Sequence, residues 1–304
     1  MTSARRHGID VDELAACISG VLGSDCRLSP LSVRCTYPVF RGERADASTF
    51  FVKVGLEQEW RRTASLLADV GESGLFPRLL TREPINYHGM AVFISEWRDA
   101  ALVFPEDMTE RQVDNFVDAC VRLSAALQSV RDFAPIAGSQ LDPELMYEDV
   151  ARYVSWHPVA GRLLKGLVSV PAGERTFGDR PLAVVHGDFH AKNFGFSGDE
   201  FACVFDFDKL TQGLACADLA NALVERFSCL GLSAAARRRL GAAARRVFAR
   251  APWPRGDFAV ACNMLRLQFA ARRIRKHPDS AWVALDVLRR DRSICDFLAT
   301  LNMV

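Results

Sequence analysis

His186-Gly187-Asp188-Phe189-His190-Ala191-Lys192-Asn193, followed by Phe205-Asp206-Phe207-Asp208, decides how this 304-residue chain reads. Asp188 stands five residues before Asn193, and Asp206 thirteen residues beyond it. The apolar runs Leu182–Val185 and Phe201–Phe205 enter the two motifs and read as strands. Both carboxylates then emerge at strand ends, on rigid elements. Phosphoryl transfer from ATP requires such a set: one carboxylate to orient the acceptor hydroxyl, and an Asn with a second Asp to hold magnesium on the triphosphate. A single Asp in a turn is ordinarily a cap or a solvated residue. Two spaced motifs, each behind a buried-type strand, are harder to obtain by chance.

His186-Gly187-Asp188-Phe189-His190 with Asn193 resembles the signature of the aminoglycoside phosphotransferase/choline kinase-like family, the small-molecule branch of the protein-kinase-like fold. Asp206-Phe207-Asp208, Gly213 and Asp218-Leu219-Ala220 resemble the same family's metal-binding segment and the stabilising Asp after it. The resemblance implies an α+β, bilobal fold, with a small antiparallel-sheet N-lobe over residues 1–97 and a mostly helical C-lobe over 98–304. It implies ATP and Mg2+ as cofactors, Asp188 as the catalytic residue, Asn193 and Asp206 as metal ligands, and His186 as a structural residue of the catalytic loop. Asp208 is a weaker metal ligand or a turn cap. Lys192 reaches the transferred phosphoryl group or faces solvent, with solvent favoured.

The first half supplies a cation. Phe50-Phe51-Val52-Lys53-Val54 is a β-rich run with one Lys in it, and an unpaired buried ammonium is costly. Alone, Lys53 would read as an edge-strand lysine; upstream of the two motifs it reads as the phosphate-binding Lys. Glu59 shares a helical face with Thr63 and Leu66 and is the expected ion-pair partner, with Glu57 second. Only Gly42 occurs between Leu28 and Glu43, so there is no glycine-rich phosphate loop, and Ser29–Cys35 is the region expected to cover the phosphates. The strand Met90–Ile94 runs into Ser95, Glu96 and Trp97, where the resemblance places the adenine edge.

Helical spacing at Val11, Leu14, Ala15, Ile18, Val21 and Leu22 opens the chain with an amphipathic helix. Strands are expected over 34–54 around a turn at 42–48, and near Phe76–Leu80 and Met90–Ser95, with one helix to Val70 packed on this lobe. Thr109-x-x-Gln112 is a capping box opening a helix to Val130, and Asp142-Pro143 starts another. Helices are then expected over 214–229, 233–250, 256–275 and 279–301.

Eleven residues separate Asp206 from Asp218, which leaves no room for the peptide-docking segment of a protein kinase. A small-molecule acceptor with a hydroxyl group follows. Residues 1–180 carry 20 Lys and Arg against 25 Asp and Glu, while residues 181–304 carry 18 against 12. A basic acceptor lobe disfavours a polycationic aminoglycoside and points to a neutral or acidic hydroxyl compound, although charge runs on helices are more often solvated faces. The alternatives are an aminoglycoside kinase, a pseudokinase-like nucleotide-binding module, and a kinase for a protein or lipid-linked acceptor. A net charge of +1 and no interleaving of basic and aromatic residues argue against nucleic acid. No uncharged run exceeds twelve residues, so no membrane span is expected. Nine scattered cysteines read as reduced thiols of a cytoplasmic protein, and nothing requires an obligate protein partner.

Overall fold

The structure is a computed structural model that describes residues 8–31, 37–70, 73–130, 180–229, 231–250, 252–277 and 282–301, with 148, 150–152 and 155. The expected helix at Asp142-Pro143 and residues 32–35 of the expected phosphate-covering segment lie outside these. The chain forms two compact units: residues 1–100 with 202–208, and residues 101–201 with 209–304.

The first unit holds a five-stranded antiparallel sheet in the order β1-β2-β3-β5-β4. Its strands are β1 (Cys26–Pro30), β2 (Val39–Arg44), β3 (Thr49–Gly55), β4 (Ile85–Tyr87) and β5 (Met90–Glu96). In β3, Phe50, Val52 and Val54 point to one face, as the two-residue repeat of a strand requires. They meet Leu14 and Ile18 of helix α1 (Val11–Leu22) in a core shared with Phe40, Val92 and Ile94. The opposite face carries Lys53 and, beside it in register, Phe93. There Trp60 of helix α2 (Glu57–Val70) stands with its ring 5.9 Å from that of Phe93. Two helices thus serve this sheet, not the single one expected.

Three further differences have physical reasons. Edge strand β1 was not anticipated; Pro30 at its end lacks an N–H, which an outermost strand tolerates. Phe76–Leu80 forms no strand, only a bridge between Leu79 and Ser95, because Pro77 has no N–H to give a ladder. Gly42 lies opposite Phe50, and a Cβ on it would sit 2.2 Å from the Phe50 ring, so this glycine serves packing.

The second unit is mainly helical. Helix α3 (Glu110–Gln128) begins with the expected capping box: the Gln112 amide N–H donates to Thr109 Oγ1 at 3.1 Å, and Thr109 N–H donates to Gln112 Oε1 at 2.9 Å. Strand β6 (Ala183–Val185) enters the first motif, and β7 (Phe194–Ser197) leaves it. Strand β8 (Glu200–Val204) pairs with β7 and runs on into the first unit. Strand β9 (Thr211–Gly213) returns to pair antiparallel with β6. Helices α4 (Ala217–Phe227), α5 (Ala234–Arg250), α6 (Arg255–Lys276) and α7 (Trp282–Thr300) follow close to the spans expected. Among the described residues no helix is long and apolar enough to cross a membrane.

Candidate active site

In the first unit, Lys53 projects from the central strand β3 on the face away from the apolar core. Its Nζ lies 3.0 Å from Asp206 Oδ1, with the Lys side chain 15% exposed and the Asp 46%. The segment carrying Asp206 is tied to this unit: Val204 N–H donates to the Leu75 carbonyl at 2.8 Å, and Phe207 packs edge-on against Phe76. Asp206 has φ +59°, a left-handed conformation that Asp adopts more readily than most residues. The structure therefore pairs Lys53 with Asp206, and the expected Lys53–Glu59 pair is corrected. Glu59 Oε1 instead accepts from the Tyr37 hydroxyl at 3.2 Å, while its buried Oε2 has no hydrogen-bond partner among the described residues. Glu57 is exposed and paired with Arg61, one helical turn on.

Ser95 and Glu96 close β5, and Trp97 follows it. Ser95 stands opposite Phe51. The Glu96 backbone N–H donates to the Arg78 carbonyl, and its carboxylate accepts from Arg78 N–H at 3.1 Å and from Arg98 Nε at 2.7 Å. Trp97 donates from Nε1 to Asp99 at 2.8 Å, with the Arg41 guanidinium over its ring.

In the second unit, the loop from His186 to Asn193 is held from both ends. The buried Asp218, in the first turn of α4, accepts from His186 N–H at 2.8 Å and from Gly187 N–H at 3.1 Å. Burial pushes the Asp218 carboxyl up, against the opposing effects of His186 and these two N–H groups. His186 is fully buried, with Phe189 edge-on to its ring. Gly187 has φ +76°, and a Cβ there would meet the Lys209 carbonyl oxygen at 2.1 Å. Only glycine allows the loop to lie so close to the Lys209 backbone.

Asp188 is 13% exposed at its side chain. The Asn193 side-chain amide donates from Nδ2 to the Asp188 carbonyl at 2.9 Å, which fixes the spacing between these two candidate residues. Lys209 Nζ reaches Asp188 Oδ2 at 2.5 Å, and His190 Nε2 stands 3.7 Å from the same oxygen. Burial pushes the His190 imidazole down, against Asp188 and Glu225 acting the other way. Arg272 of α6 is also pushed down by burial, with the Asp188 charge opposing. Lys192 is exposed, and its backbone N–H donates to His190 Nδ1. The Asp208 side chain lies outside the described residues. Sequence reasoning missed Lys209 and Arg272; the one hint was a lysine directly after the second acidic motif.

Several of the arginines behind the basic balance of residues 181–304 have acidic partners close in space. Arg246 and Arg250 of α5 pair with Asp114 of α3, and Arg250 also with Asp118. Arg266 pairs with Asp291, and Arg273 and Arg290 share Asp286. Arg226 pairs with the buried Glu106 under the Phe104 ring. These side chains clamp helices together, so the charge balance is not in itself the charge of an acceptor pocket.

No curated protein sequence matches the chain. Among solved structures it is similar to an amicoumacin kinase in complex with AMP-PNP and Ca2+ (12% identity, TM-score 0.63, 97% of this chain and 96% of that one). It is also similar to a thermostable mutant of an aminoglycoside phosphotransferase in ternary complex with ADP and hygromycin B (14%, 0.60, 92% and 98%). A third is a choline/ethanolamine kinase family protein from Mesorhizobium loti (17%, 0.59, 96% and 99%). At these identities the likeness establishes the kinase-like fold. The model of the phosphotransferase enzyme family matches residues 41–258, most of the chain and both motifs, and the chain belongs to that family.

Proposed function

We propose that the protein transfers the γ-phosphoryl group of ATP to a hydroxyl of a small molecule, with Asp188 orienting that hydroxyl and accepting its proton. The observation that carries this reading is the Asp188–Asn193 arrangement. A nearly buried carboxylate lies three residues past strand β6, and a carboxamide five residues on is hydrogen-bonded to its backbone. Lys53 binds the nucleotide phosphates, with Glu59 linked to it through Tyr37, whose hydroxyl donates to Glu59 and whose ring lies 5.9 Å from Lys53 Nζ, and Ser95, Glu96 and Trp97 border the adenine. Asn193 and Asp206 hold magnesium. The donors fit a hard cation: Asn193 uses its amide nitrogen on Asp188 and keeps its side-chain oxygen, and the Asp206 carboxylate is half-exposed. Among the described residues no cluster of three or more His, Cys, Asp and Glu could hold a metal. Magnesium needs none, because it is commonly held by one or two protein groups with waters and substrate phosphates. When bound, it screens the charge of the transferring group.

The acceptor is a neutral or acidic hydroxyl compound, bound in the helical unit that residues 98–304 largely make up. Arg272, which interacts electrostatically with Asp188, supports this, since its charge would repel a cationic ligand. A second reading, an aminoglycoside kinase, is favoured by the hygromycin B complex among the structural neighbours and by the arginines held in ion pairs. The deciding experiment measures ATP consumption with kanamycin-type aminoglycosides beside neutral sugars, nucleosides and sugar acids. Turnover restricted to the neutral or acidic compounds is expected. Efficient, saturable turnover of the aminoglycosides would establish the second reading instead.

A further inference from the structure

We infer that Lys209 is a positioning residue for phosphoryl transfer, holding the Asp188 carboxylate by one oxygen so that the other faces the acceptor. This rests on the phosphotransferase reading above. The geometry is specific. Lys209 Nζ sits 2.5 Å from Asp188 Oδ2, a contact shorter than the ordinary charge-assisted hydrogen bond.

The backbone that presents the lysine is itself fixed. The β6–β9 ladder pairs Val185 with Thr211, two residues from Lys209, and the Lys209 carbonyl packs against Gly187, one residue from Asp188. The two side chains therefore meet across a contact that a single methyl group would prevent.

Its exposure sets this pair apart from a clamp such as Arg226–Glu106. The Lys209 side chain is 40% exposed, while that of Arg226 is 14%. With its ammonium open to water, Lys209 contributes less to stability than a buried arginine would, so its removal should leave the fold standing.

In the transfer step, the acceptor hydroxyl oxygen forms a bond to the γ-phosphorus. The bond from that phosphorus to the β–γ bridging oxygen breaks, and ADP leaves with the electron pair. The hydroxyl proton passes to Asp188, on the oxygen that Lys209 does not occupy. Lys209 keeps its protons throughout. It restrains the carboxylate and sets a positive charge beside the anionic transition state, which a rigid donor stabilises more than the ground state.

The test uses the full chain with Lys209→Ala and Lys209→Arg, and magnesium throughout. Three quantities are measured: affinity for ADP, affinity for ADP with aluminium fluoride as transition-state mimic, and single-turnover ATP hydrolysis with water as acceptor. For Lys209→Ala we expect ADP affinity within about threefold of wild type. Affinity for ADP–aluminium fluoride and the hydrolysis rate should fall about 10–100-fold, with partial recovery in Lys209→Arg. Thermal unfolding should shift little in either variant. A Lys209→Ala protein that binds the mimic and hydrolyses ATP like wild type overturns the inference. So does one that loses ADP and mimic equally, because the lysine would then bind ground and transition states alike. Failure of the wild type to bind ADP at all would overturn the phosphotransferase reading itself, a different result from any variant effect.

Discussion

Asp188 and Asp206 are both carboxylates, yet their surroundings assign them different work. Asp188 is nearly buried, with Lys209 on one oxygen; Asp206 is half-exposed, with Lys53 on one oxygen and a left-handed backbone. Under the proposed function, Asp188→Asn removes the proton acceptor and leaves the nucleotide contacts alone. The transfer rate should fall about 10²–10⁴-fold, with ATP affinity within a few-fold, as single-turnover kinetics and ATP titration would read. Comparable transfer in the variant would remove Asp188 from the chemistry. Substitution at the metal residues should act differently. Asp206→Ala removes a charge as well as a ligand, whereas Asn193→Ala removes a dipole, so Asp206→Ala should raise the magnesium requirement for nucleotide binding more steeply. Equal magnesium dependence in wild type and Asp206→Ala would contradict the assignment.

The elements owe their firmness to clamps between helices. Asp286 of α7 receives Arg273 from α6 and Arg290 from one turn on in α7. Burial alone would push its carboxyl up, but the two arginines outweigh it and hold the carboxyl below its ordinary value of 3.8. A depressed carboxylate stabilises the fold above its unfolded-state pKa, and that contribution fades as pH falls below it. Asp286→Asn should therefore lower stability by about 1–3 kcal/mol near neutral pH, with the gap to wild type closing as pH drops below about 3.8. Thermal unfolding across the acid range checks this; a gap that stayed constant down to low pH would deny the clamp its charge. Helix positions were legible in the sequence because apolar periodicity and caps are local signals, as the Thr109–Gln112 box illustrates. Helix pairing was not. The Arg245-Arg246 run read as part of a basic lobe because its partners, such as Asp114, lie more than a hundred residues away. Lys53 was legible because a lysine inside an apolar strand needs a reason. Its partner was not, since the link from β3 to Asp206 spans 153 residues.

At the scale of the molecule, the kinase-like fold and the family were legible from two short motifs, because phosphate chemistry imposes both residue type and spacing. The acceptor was not, because charge counted along a chain ignores which arginines are already engaged. The first unit is discontinuous. Residues 202–208 supply it with Asp206 for Lys53, Val204 for the Leu75 carbonyl and Phe207 for Phe76, although the second unit's chain surrounds them in sequence. Recombination between homologues therefore has two joints to respect. A chimaera that exchanges residues 1–100 alone would set a foreign sheet against a native heptapeptide that evolved with another. Exchange of 1–100 together with 202–208 moves the whole folding unit, and in this protein that seven-residue insert, not the linker near residue 100, is the seam at which modular shuffling succeeds or fails.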